Sequence, residues 1–200
     1  MSSSRKSIFG AGILVLVIGA GFLTGCSDDD NGPTTTSTTI KVLSEGTLKA
    51  GDPIPLPDGE AVLTVDGSIE NTNDGDAAAF DMQTLESIGV VEYTAKDTAG
   101  GGGADVVFSG VLLSDLLDVV GASSDATTLK TVALNDYTID IPISDIKKMP
   151  VLLATEADGK PMSIEDFGPT RVVYPNKQFD LQPELNDALW IWQLATITVK

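Results

Sequence analysis

The sequence predicts an α+β, mainly β domain of mixed sheets with a few short helices. From Ile40 onward, short β-branched runs alternate with clusters of Gly, Asp, Asn and Pro, the pattern of strands joined by turns. Helical periodicity is confined to brief stretches, whereas a doubly wound sheet would need long helices between its strands. With 200 residues, 42% hydrophobic and 20% charged, the chain can build one core and has room for one ordinary domain.

The first segment reads as an address. Arg5 and Lys6 precede an apolar run from Ile8 to Leu23, the charged start and apolar middle of a secretory signal, slightly short for a membrane span. The run closes on Leu23-Thr24-Gly25-Cys26, which resembles the lipobox of bacterial lipoproteins, where cleavage precedes the Cys and its thiol is lipidated. The expected organisation is a signal peptide over 1–25, a lipidated Cys26 with a solvated tether over 26–39, and one domain over 40–200. Acyl chains on Cys26 would make the membrane a partner without any spanning helix. Ser27 stands where an inner-membrane retention signal would have Asp, so the expected location is the periplasmic side of the envelope, with the outer membrane favoured over the inner. Asp28, Asp29 and Asp30 on the tether lack the converging oxygens that calcium needs.

Strands are expected at Thr39–Leu43 and Ala61–Val65, with Pro53, Pro55 and Pro57 making the segment between them an extended connector. The stretch from Asn71 to Asp76 fits a turn better than a calcium loop, because its oxygens are out of step with the EF-hand order. A short helix over 81–89 takes Asp81 as N-cap and Gly89 as terminator. The strand Val90–Thr94 follows. Gly100–Gly103 then reads as a hairpin loop leading to the strand Asp105–Ser109, since a phosphate loop would need Gly-Lys-Ser/Thr opening a helix. From Leu113 to Val120, apolar residues form one stripe of a helix that Gly121 ends.

Strands Thr128–Leu134 and Tyr137–Ile141 flank a turn at Asn135-Asp136, and one helical turn is expected over Ile143–Lys148. A buried strand over Met149–Thr155 leads to an Asp158-Gly159 turn. Arg171–Tyr174 and Leu194–Val199 complete the strands, with a polar irregular stretch from Pro175 to Asn186 between them.

Charge and missing residue types exclude much. There are 29 acidic and 12 basic side chains; without Arg5 and Lys6 the basic count falls to 10, a balance of about -19. Nucleic acid is therefore not an expected partner, because phosphate binding relies on Lys and Arg. The absence of His removes Ser-His-Asp triads, Cys-His dyads and histidine zinc sites. Glu156, Asp158, Glu165 and Asp166 could supply an acid and a base, but a solvated surface is the simpler reading.

Four blocks in order carry a resemblance: Phe108-Ser109-Gly110-Val111-Leu112-Leu113-Ser114-Asp115-Leu116-Leu117; Asn135-Asp136-Tyr137; Leu152-Leu153-Ala154 through Asp158-Gly159-Lys160-Pro161-Met162; and Gly168-Pro169-Thr170-Arg171-Val172-Val173-Tyr174-Pro175. Together with Trp190 and Trp192 near the end, they resemble the molybdopterin-binding oxidoreductase domain of the sulfite oxidase family over about Ala61 to Lys200. The resemblance implies that family's fold, with molybdopterin as a cofactor on that ground alone. It also implies a cysteine thiolate on molybdenum around Lys96–Ala99, where this chain has no Cys; Cys26 is its single cysteine.

Histidines and arginines that hold the pterin phosphate are missing too, and Arg171 is the one arginine after Arg5. No cofactor, catalytic residue or metal ligand is expected. The first reading is a non-catalytic ligand- or partner-binding module, with an envelope sensor or redox protein as partner. The alternatives are an oxidoreductase using an oxygen ligand such as Asp97 or Thr98, and a structural envelope protein. Arg171 is either an anion contact, as the resemblance implies, or the partner of Asp166 or another nearby carboxylate at a strand start. Tyr137 and Tyr174 are candidate cleft residues, and Trp190 and Trp192, two apart, are expected on one face of a strand.

Overall fold

Alternation of apolar and polar side chains organises the chain into two sheets. A computed structural model describes residues 40–98, 100, 102–179, 181 and 188–200. The leader, Cys26 and the tether expected over 1–39 lie outside the described residues.

The first sheet contains β1 (Lys41–Ser44), β4 (Val90–Asp97), β5 (Ala104–Leu112), β8 (Leu152–Ala157) and β10 (Arg171–Val173) in that order, with β9 (Lys160–Pro161) added against β8. All its pairings are antiparallel. The second contains β3 (Ala78–Phe80), β2 (Leu63–Gly67), β11 (Leu194–Val199), β6 (Thr128–Ala133) and β7 (Thr138–Pro142), again in spatial order. There β11 runs parallel to β2 and antiparallel to β6, so the sheet is mixed. Three short helices complete the fold: α1 (Met82–Glu86), α2 (Leu113–Val119) and α3 (Ile143–Lys148). The architecture is the expected α+β, mainly β one.

Period-2 burial places the core. In β4, Val91, Tyr93, Ala95 and Asp97 are buried while Glu92, Thr94 and Lys96 are not. In β6, Leu129, Thr131 and Ala133 point inward on the same rule. Leu63, Phe80, Leu85, Phe108, Leu113, Leu116, Leu129, Ile141 and Leu152 are fully buried, with Leu113, Leu116 and Leu117 supplying the apolar stripe of α2.

Turn chemistry follows the sequence closely. Gly102 and Gly103 sit at positive φ and close the β4–β5 hairpin, whose register runs from Asp97 opposite Ala104 to Val91 opposite Gly110. Asp158 and Gly159, both at positive φ, make the β8–β9 turn. The stretch after Asn71 is a turn, as expected: Asn73 accepts from the Ala79 N–H and donates to the Pro55 and Ala79 carbonyls.

Three expectations are corrected. The strand after α3 begins at Leu152 rather than Met149, because Met149 caps the helix and Pro150 follows it. Strand β3 was not expected. Trp190 and Trp192 precede β11, with Trp192 held opposite Arg171 by a single antiparallel bridge rather than within a strand.

Candidate functional site

The inward alternation of β4 delivers a carboxylate to the interior. Asp97, last in the strand, is only 5% exposed, and an ion there requires a partner. Arg171, first residue of β10 and 1% exposed, provides it. Its Nη2 donates to Asp97 Oδ1 at 2.6 Å and its Nη1 to Oδ2 at 3.0 Å, the fork geometry that guanidinium and carboxylate share. The Gly100 N–H adds a third bond to Oδ1 at 3.0 Å, so the glycine loop folds back over the pair.

Four rings surround the guanidinium. Its central carbon lies 5.1 Å from the Trp190 ring centre, 5.2 Å from Phe108, 5.6 Å from Phe167 and 5.9 Å from Trp192, all within cation–π range. Phe108 meets Trp190 edge to face, and Phe167 lies tilted on Trp192 at 4.4 Å. Phe167 reaches its place through a left-handed backbone, and its carbonyl accepts from the Gln193 N–H. The loop before β10 and the segment before β11 are thereby tied together around Arg171.

The cage is not fully satisfied. Arg171 Nε, Trp190 Nε1 and Trp192 Nε1 are buried donors without an acceptor among the described residues. In front of the two indoles, Asn135, Tyr137 and Ile191 join them around a pocket of about 240 Å³.

Most residues singled out from the sequence have a place among the described residues. Arg171 pairs with Asp97, while the suggested alternative Asp166 is engaged by the Ser163 hydroxyl and N–H. Tyr137 is 45% exposed and lines the pocket, its hydroxyl donating to the Ala188 carbonyl at 3.4 Å. Tyr174 is 1% exposed, in the core, and its hydroxyl has no hydrogen-bond partner among the described residues; burial, followed by the charge of Asp145, pushes that hydroxyl well above the ordinary tyrosine range. Trp190 and Trp192, outside any strand, both lie within 6 Å of the Arg171 guanidinium. Glu156 accepts from the Ser109 hydroxyl and Asp158 from the Val107 N–H, both structural bonds. Cys26 lies outside the described residues.

The sequence reading named Asp97 only as a conceivable metal ligand. The alternation Val91-x-Tyr93-x-Ala95-x-Asp97 already contained the signal that this carboxylate faces inward, and Arg171 was the one arginine available to it.

These residues do not fit the cofactor that the resemblance implies. Around Lys96–Ala99, where a thiolate is needed, the buried donor is Asp97, and both its oxygens are committed to Arg171. Among the described residues no group of three or more His, Cys, Asp or Glu side chains converges as a metal site. The one arginine that could meet a pterin phosphate has both terminal nitrogens occupied by Asp97.

Comparison with known proteins agrees on ancestry. No curated protein matches. Among solved structures, the sulfane dehydrogenase SoxCD from Paracoccus pantotrophus is similar in fold, with a TM-score of 0.52 and 18% sequence identity over 68% of this chain. The chain spans 37% of the length of that one. A family profile described as the oxidoreductase molybdopterin binding domain matches residues 75–181, more than half of the chain, and this protein therefore belongs to the family of oxidoreductase molybdopterin-binding domains.

Proposed function

We propose that this chain is an exported, lipid-anchored member of its family that acts as a ligand- or partner-binding module on the periplasmic side of the envelope, without molybdenum chemistry. One observation carries the reading: the buried Asp97–Arg171 pair, enclosed by four rings, stands where the resemblance calls for a thiolate and an anion contact. A carboxylate held at 2.6 and 3.0 Å by a guanidinium is neither a soft sulfur donor nor a free oxygen ligand. The lipid anchor is supported by the run from Ile8 to Leu23 ending in Cys26, and the outer membrane by Ser27. An envelope sensor or redox protein is the proposed partner class.

Molybdenum content by elemental mass spectrometry, with pterin fluorescence after oxidation, tests the reading on the full-length chain made in a host that synthesises the cofactor. Folded protein free of both is expected. Near-stoichiometric metal and pterin would overturn the reading in favour of an oxidoreductase with an oxygen ligand in place of the Cys.

A further inference from the structure

The pocket beside the caged arginine has a definite chemical character. Its walls are Trp190, Trp192, Tyr137 and Ile191, with Asn135 as a polar lining residue. At about 240 Å³ it falls below the ~300–1,000 Å³ that drug-sized ligands occupy, so it suits a molecule of one or two rings.

Charge narrows the class. An anion would meet an arginine whose charge Asp97 already balances, and would face a chain with 29 acidic against 12 basic residues. A cation would stack on indoles that already carry a guanidinium at 5.1 and 5.9 Å. An uncharged ligand avoids both conflicts.

Polar groups narrow it further. Asn135 Oδ1 accepts from the Tyr137 N–H, leaving its Nδ2 as a donor. The Tyr137 hydroxyl donates to the Ala188 carbonyl and keeps its lone pairs as an acceptor. The indole N–H groups of Trp190 and Trp192 are buried beside the pocket and find no acceptor among the described residues.

We infer that this pocket binds a small uncharged aromatic amide or lactam, its ring stacked on Tyr137 and Trp192, its carbonyl facing Asn135 and its N–H the Tyr137 oxygen. The inference rests on the binding-module reading and names the ligand class of the same site.

Trp190 and Trp192 are the only tryptophans in the chain, so intrinsic emission reports on this pocket alone. Purified full-length protein is titrated with benzamide, benzoate and benzylammonium, three ligands of similar shape and different charge. Benzamide should change the emission saturably, with a dissociation constant about tenfold or more below those of the two ions. Tyr137→Ala, a change at a half-exposed side chain, should weaken benzamide by about tenfold while leaving the urea midpoint in place. Equal affinity for all three, no saturable change with benzamide, or benzamide binding indifferent to Tyr137→Ala would overturn the assignment. Molybdenum and pterin are measured on the same sample. Metal-free protein that ignores benzamide refutes the ligand class alone, whereas metal-loaded protein refutes the binding-module reading whatever benzamide does.

Discussion

Asp97 and Arg171 illustrate how one buried pair can both hold a fold and occupy a site. Neither side chain would be tolerated alone in this interior, since an isolated buried ion costs several kcal/mol. Paired and forked, with the Gly100 N–H and four rings around them, they are compatible with it. Asp97→Asn leaves the guanidinium buried without its counter-charge and should cost about 3 kcal/mol in urea unfolding. Replacing both partners, Asp97→Leu with Arg171→Met, should recover most of that loss, because two apolar groups of similar volume need no compensation. A double variant as unstable as the single one would mean that the pair contributes more than charge neutralisation. Sequence reasoning reached Arg171 through the Gly168–Tyr174 block but looked for its partner nearby, at Asp166. The true partner is 74 positions away, and only the three antiparallel pairings that link four strands, β4–β5–β8–β10, bring it close.

Strands were legible from their β-branched runs between turn residues, and in β4 and β6 strict alternation also decides which face is buried. Strands β4, β5, β6 and β11 lie within a few residues of their expected positions. Strand β3 was not legible: Ala78-Ala79-Phe80 is buried throughout and offers no alternation, so it exists only because β2 pairs with it. The connector before β2 reads as extended from its prolines, and the structure adds what holds it. Asp81, the N-cap of α1, accepts from the Thr84 N–H at 2.8 Å, the Asp58 N–H at 2.9 Å and the Gly59 N–H at 3.1 Å, so one carboxylate joins the helix start to the connector.

Hydrogen bonding from Thr84, its backbone N–H first and its side chain next, together with the Gly59 and Asp58 N–H groups, holds the Asp81 carboxyl below its ordinary value of 3.8 against the opposing effect of burial. A folded value below the unfolded one means that the folded chain binds fewer protons. The contribution is therefore complete above the ordinary value and disappears as pH falls through the depressed folded one. Asp81→Ala should cost about 1 kcal/mol at neutral pH, and the gap from the parent chain should shrink as pH falls below about 4. Urea midpoints at pH 7 and pH 3 check this; an equal gap at both would assign the cost to packing rather than to the ionised cap.

For the molecule as a whole, charge imbalance outweighs any single contact. Between Ile40 and Lys200 the described ion pairs are Lys41–Glu92, Asp97–Arg171 and Lys177–Asp105, and only the middle one is buried. Among the described residues, the acidic side chains other than Asp81 and Asp97 are at least partly exposed, and with 29 acidic against 12 basic side chains in the chain their like-charge field opposes compaction. The buried pair lies beyond the reach of mobile ions, whereas surface repulsion acts over about 10 Å at 0.1 M salt and about 3 Å at 1 M. Sodium chloride should accordingly stabilise the folded chain, raising its unfolding free energy by on the order of 1 kcal/mol between 0.05 and 0.5 M. Asp97→Asn should show the same salt increment from a lower starting point, since it alters an interior charge and not the surface field. Stability that falls with salt would mean that exposed pairs such as Lys41–Glu92 outweigh the repulsion, which would be unexpected for pairs of this kind in a chain this acidic.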